Sequence, residues 1–148
     1  MPNILIVDDE PIIRNGIAST IQSLNLFEKV DTAKNGYEAL ELCKNYRYNA
    51  ILLDIMMPRM NGLEFLEELK KYELEYEKVS EIPVKTIKIV LSGYDDFDYA
   101  QKAITLDVDE FLLKPFEPDD VIQLAKQLYE KACLNIENTK RQIQLRDQ

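Results

Sequence analysis

Short apolar runs alternate with longer stretches of helical period along this chain. Ile4-Leu5-Ile6-Val7 is continuous and apolar, as a buried strand is. Pro11 to Leu24 follows with Ile13, Ile17 and Ile21 on one face and Pro11 in its first turn, which predicts a helix. Val30 to Ala33 reads as a weaker strand at a sheet edge. Gly36 to Tyr46 reads as a helix capped by Asn35, with Glu38 three residues on. Ala50 to Leu53 is a second buried run. Asn61 and Glu64 repeat the cap signature before a helix through Phe65, Leu66 and Leu69. Ile87 to Leu91 predicts a strand, and Asp96 to Leu106 a helix with Ala100, Ala103 and Ile104 inward. Phe111 to Leu113 predicts the last strand, and Pro118 opens a long final helix.

The order is (βα)5. Regular alternation implies a parallel sheet covered by helices on both faces. Right-handed crossovers favour a doubly wound, flavodoxin-like α/β fold, with five strands in the order 2-1-3-4-5 and an extended C-terminal helix. The expected division is a domain over 1–126 and a helical extension or linker over 127–148. Two stretches stand apart. Lys70 to Lys85 is long and charged, and reads as an extended third helix followed by a solvated loop, or, more sharply, as a docking site. Tyr129, Ala132, Ile136, Thr139 and Ile143 fall on a 3-4 spacing over about two heptads, too few to define a coiled coil. A frayed linker helix and a dimerising or signalling helix both fit that pattern.

Composition narrows the chemistry. The 148 residues carry a net charge of −9 and no histidine. The acidic balance argues against direct nucleic-acid binding by this chain. The missing histidine excludes Ser-His-Asp catalysis, histidine-containing zinc sites and phosphohistidine within the chain. Cys43 and Cys133 lie far apart in helical patterns and read as plain thiols of a reducing compartment. The apolar runs are too short to span a bilayer, and no basic region precedes the first one, so the expected setting is cytoplasmic, without membrane contact.

Four apolar runs end in a polar residue. Ile4–Val7 meets Asp8-Asp9, Ala50–Leu53 meets Asp54, Ile87–Leu91 meets Ser92, and Phe111–Leu113 meets Lys114. In an open parallel sheet these ends share one edge, where ligands bind. A single carboxylate after a strand is commonplace as a helix cap. Three carboxylates, a hydroxyl and an ammonium on one edge are not explained by capping. Three neighbouring carboxylates raise one another's pKa, and a hard divalent cation such as Mg²⁺ relieves them. Asp54, alone at the end of the central strand, suits a nucleophile, because a carboxylate is ionised at neutral pH and needs no general base. With the metal and Lys114 neutralising charge, the arrangement suits phosphoryl transfer to Asp54.

ILIVDDE, LLDIMMPRMNG, LSGYDDF and FLLKPFEP together resemble the receiver domain (CheY-like) of two-component response regulators, from about Pro2 to Lys126. The resemblance implies that Asp54 is the phosphoacceptor. It implies that Asp9, Asp54 and the backbone carbonyl of Met56 bind Mg²⁺ directly, with Asp8 holding a metal-bound water. It implies that Lys114 contacts the phosphoryl group, that the bond to Pro115 is cis, that Ser92 swings toward the phosphoryl oxygens and that Phe111 turns inward behind it. The implied partners are a sensor histidine kinase and a second copy of the chain, met through the face of the fourth helix, fifth strand and fifth helix or through the C-terminal helix. LSGYDDFDYAQKAI looks most like receivers fused to AraC-type helix-turn-helix domains, which implies transcriptional output. The chain ends soon after the receiver, as a single-domain regulator or as a piece ending within a linker, and the tail favours the second.

Three departures from the pattern matter. Phe111 stands where tyrosine is frequent, the 70–85 segment is longer than usual, and Met56 and Tyr94 are bulky beside the phosphorylation site, where they would slow dephosphorylation. An aspartyl-nucleophile phosphatase is the competing enzyme reading. Its D-x-D motif fails at Met56, so the expectation is a switch acting only on its own phosphoryl group. A phosphorylation-independent interaction module is the third reading, against which every acidic and basic position is retained.

Overall fold

The computed structural model describes residues 1–93 and 96–147. Five strands, β1 (Asn3–Val7), β2 (Lys29–Ala33), β3 (Ala50–Asp54), β4 (Ile87–Ser92) and β5 (Glu110–Leu113), alternate with five helices. These are α1 (Pro11–Ser23), α2 (Gly36–Asn45), α3 (Gly62–Ser80), α4 (Phe97–Ile104) and α5 (Pro118–Arg146). All strand pairs are parallel, in the order β2-β1-β3-β4-β5. The doubly wound (βα)5 arrangement expected from the alternation is the one observed.

Each sheet face carries its own core. Ile4, Ile6, Leu52 and Ile89 point to the α1/α5 side, and Leu5, Val7, Ile51, Leu53 and Val90 to the α2/α3 side. Strands covered on both faces must be largely apolar, which is why β1 and β3 read as continuous runs and β4 is broken only by Lys88. Asn35 and Asn61 accept the backbone N–H of Glu38 and Glu64 and cap α2 and α3 as the sequence predicts.

One inward position is corrected. Ala103 is buried, but Ile104 is 61% exposed. α4 stops at Ile104, and Leu106 and Val108, just past its end, pack on the core instead. The side chain of Ala100 is outside the described residues.

The 70–85 segment is only partly as expected. α3 runs on to Ser80, but the loop after it is not fully solvated, since Ile82, Pro83 and Val84 are half-buried. The long helix also carries Glu73 to the buried Lys88 on β4, at 2.5 Å. α5 is continuous over 29 residues, so the expected division at 126/127 falls inside one helix.

Candidate functional site at the C-terminal edge of the sheet

The C-terminal ends of β1, β3, β4 and β5 bring Asp8, Asp9, Asp54, Ser92 and Lys114 to one edge, because all the strands run the same way. Parallel register sets the depth of each. Val7 pairs with Leu53 and Asp54 with Leu91, so Asp8 and Asp54 lie side by side, with Ser92 one residue beyond. Asp8, Asp54 and Ser92 are buried, while Asp9 and Lys114 are half-exposed.

Two turns fix the carboxylates. Asp8 Oδ1 accepts the Glu10 N–H at 2.9 Å, and Asp54 Oδ1 accepts the Met56 N–H at 3.2 Å. The Arg14 guanidinium, one turn into α1, donates to the Asp8 carbonyl at 2.9 Å. Sequence reading missed Arg14 because its partner is a backbone oxygen, which leaves no side-chain pattern. Gly62 closes the LLDIMMPRMNG motif, but its role is not readable there. A Cβ there would come within 2.7 Å of Ile55 Cα and 2.8 Å of the Asp54 carbonyl, so only glycine lets α3 start against the end of β3. The loop between them carries Met56, 44% exposed at the rim.

Lys114 Nζ stands 3.0 Å from Asp54 Oδ2. Its backbone N–H donates to the Ser92 carbonyl at 2.8 Å, which ties β5 to β4 beside the site. The Lys114–Pro115 peptide bond is cis. Phe111, on β5 opposite Val90, is half-buried against the α2/α3-side core. Tyr94, expected to flank the site, lies outside the described residues.

The electrostatics are those of a site short of positive charge. Burial pushes the Asp8 carboxyl up to about 6, with the charges of Asp54 and Asp9 adding to it against the Glu10 N–H and Lys114. Burial also raises Asp54, and the bond and charge of Lys114 only partly offset it. Burial disfavours the charged Lys114 ammonium, but its bond to Asp54 and the surrounding acids outweigh that and hold its pKa above the ordinary lysine value.

Among the described residues, one carboxylate oxygen each from Asp8, Asp9 and Asp54 lies within 4.8 Å of the others. Asp8 Oδ2 is buried and has no hydrogen-bond partner among the described residues. A buried, unpartnered anionic oxygen costs stability unless something positive meets it. Three hard oxygens closing on one point fit a small divalent cation that keeps part of its water shell, as Mg²⁺ does.

Residues 4–126 match the model of the response regulator receiver domain. The chain belongs to that family. Receiver domains are phosphorylation-activated signalling domains of two-component systems rather than classical enzymes, and they bind Mg²⁺ at an acidic cluster. The receiver is 36% identical over 118 residues to an uncharacterized response regulatory protein of Staphylococcus epidermidis, covering 79% of this chain and 42% of that one. It is 35% identical, with the same coverage, to the transcriptional regulatory protein HptR of Staphylococcus aureus. The receiver domain of AraT, a response regulator from Geobacillus stearothermophilus, superposes with a TM-score of 0.72 at 38% identity, over 93% of this chain and 98% of that one. The chain thus spans less than half the length of these two curated relatives. Among the described residues, no helix is long and apolar enough to cross a membrane.

Proposed function

We propose that this receiver takes a phosphoryl group on Asp54 from the phosphohistidine of a sensor histidine kinase, and serves as the input part of a cytoplasmic transcriptional regulator. The observation that carries the reading is the meeting of Asp8, Asp9 and Asp54 around one point, with the Lys114 ammonium 3.0 Å from Asp54. Asp9, Asp54 and the Met56 carbonyl would hold Mg²⁺ directly, and Asp8 through a water. When bound, the ion neutralises charge on the phosphoryl oxygens. The Asp54 carboxylate attacks phosphorus, the new P–O bond forms as the P–N bond to the kinase imidazole breaks, and no proton need leave Asp54. Lys114 orients the nucleophile beforehand and receives a phosphoryl oxygen afterwards. The Ser92 hydroxyl then turns toward the phosphoryl group and Phe111 moves in behind it. The face of α4, β5 and α5 changes its affinity for a second copy or another partner. The chain acts on its own phosphoryl group alone, in transfer and in hydrolysis.

Residues 1–126 form the receiver and 127–148 the helical extension or linker. LSGYDDFDYAQKAI supports an AraC-type helix-turn-helix output, and the longer relatives named as transcriptional regulators support an output domain in general. DNA contact would then fall to that domain, since a net charge of −9 repels phosphate from this one. The C-terminal helix is a second surface for pairing two copies.

The test is phosphate incorporation from a small acyl phosphate with Mg²⁺, read on a phosphate-affinity gel. Wild type is expected to shift and Asp54→Ala not to; a shift in Asp54→Ala would sink the assignment. In the same assay, Met56→Asn with Tyr94→Glu is expected to shorten the phosphorylated lifetime several-fold. An unchanged lifetime would remove those two side chains from any role in limiting hydrolysis.

A further inference from the structure

The last turns of α5 are covered on one side only. Leu134 and Leu145 are 57% and 69% exposed, whereas Tyr129, Ile136, Thr139 and Ile143 are half-buried and Ala132 is fully buried. The covered side is the 3-4 seam. Up to Ala132 it lies on the body of the receiver, with Tyr129 edge-on to Phe27 at 6.2 Å. Beyond that the sheet has ended, and the cover is the loop that follows the lengthened α3. Ile136 and Thr139 face Ile82 and Pro83 across a gap of about 190 Å³. Two polar contacts moor the helix there. Asn135 Nδ2 donates to the Lys85 carbonyl at 3.5 Å, and Arg146 Nη1 to the Ser80 carbonyl at 3.2 Å.

This cover is weak. It has a void between its partners and only two hydrogen bonds, at its exposed rim. The seam beneath it is short, but it keeps the 3-4 spacing by which two helices pack on each other. Tyr129, Ile136 and Ile143 occupy one heptad position and Ala132 and Thr139 the other, a narrow apolar stripe with isoleucine twice at the first. In a parallel pair the flanking positions oppose Asn135 to Lys140 and Gln142 to Asp147 without like charges, and the apolar seam ends at Ile143, because Arg146 on the next seam position would face its own copy. The chain is strongly acidic, but positions 127–147 are nearly balanced, with Lys131, Lys140, Arg141 and Arg146 against Glu130, Glu137 and Asp147.

We propose that the 81–86 loop and the end of α3 mask a self-pairing surface, and that the seam of α5 beyond Ala132, once released, binds the same seam of a second copy. This deepens the reading of the C-terminal helix as a pairing surface. It does not depend on the phosphoryl chemistry, so the test uses no phosphodonor.

The whole chain is compared with Ile82→Glu/Pro83→Asp, which breaks the cover and leaves the helix sequence intact. Hydrogen exchange of the 134–146 amides at monomeric concentration is expected to speed up at least tenfold, and sedimentation to show dimerisation at least tenfold tighter. Adding Ile143→Asp is expected to return the loop variant to monomer. Arg146→Gln, which removes a mooring from the helix side, is expected to act in the same direction as the loop variant. Unchanged exchange in both variants would show that nothing is masked. Faster exchange without dimers would overturn the second copy as occupant, and dimers indifferent to Ile143→Asp would overturn the seam as the surface.

Discussion

Asp8 is held in a position that suits an ion better than it suits the isolated protein. Its carboxyl sits at about 6 when folded and 3.8 in an open chain, so between those values the folded state binds the proton more tightly. Without metal, stability attributable to Asp8 is therefore full below the lower value and is lost as pH rises through the upper one. Two units at 1.36 kcal/mol each bound the effect at about 3 kcal/mol. In urea unfolding with chelator, the stability advantage of Asp8→Asn over wild type is expected to widen by about 2 kcal/mol from about pH 4.5 to 7. Millimolar Mg²⁺ is expected to erase it. A constant gap would show that burial is not what perturbs Asp8. At this scale the sequence was most legible. Asp8, Asp9, Asp54, Ser92 and Lys114 each end or follow an apolar run, and parallel strands leave one edge for all of them. The roles of Arg14 and Gly62 were not legible because both act on backbone, the first through a carbonyl and the second through the atom it lacks.

α3 and β4 are joined by a pair of charges that neither element's pattern announces. Lys88 interrupts the apolar run Ile87–Leu91, and Glu73 sits in the long charged stretch read as an extended third helix and a solvated loop, yet their side chains are only 6% and 14% exposed. The Lys88 N–H also donates to Asp109 at 2.8 Å. Removing one member of a buried pair strands the other. Glu73→Gln is expected to cost about 3–5 kcal/mol in chemical denaturation, while Lys88→Met with Glu73→Leu stays within about 1 kcal/mol of wild type or exceeds it. Equal losses in the single and double variants would mean that the charges are not coupled. Element order, caps and approximate bounds were readable because they depend on periodicity within a dozen residues. Contacts between Glu73 and Lys88, or between Ser80 and Arg146, span 15 and 66 positions and have no local signature. Ile104 was misplaced for a related reason, since the helix stops before its periodicity does.

On the whole molecule, the acidic edge opens beside an apolar groove between α1 and the start of α5. The groove, about 640 Å³, is lined by Ile12, Ile13, Ile17, Pro115, Phe116 and Val121, and Ile12 is 88% exposed. If Asp54 takes the phosphoryl group as proposed, an apolar surface next to it suits a protein donor and is of no use to a small one. Ile12→Arg is accordingly expected to slow transfer from a phosphorylated kinase domain at least tenfold and to leave acyl phosphate labelling unchanged. Equal slowing with both donors would place Ile12 in the chemistry instead of the docking. α5 starts four residues after Lys114 and ends moored at Ser80, across the full depth of the sheet. At about 1.5 Å per residue it is a rod roughly 43 Å long. A tilt of about 3° at its root sweeps its tip by about 2 Å, more than a 3.2 Å hydrogen bond tolerates. The helix is thus a lever whose gain is set by its length, and an angular change too small to disturb the core at one end is a broken latch at the other.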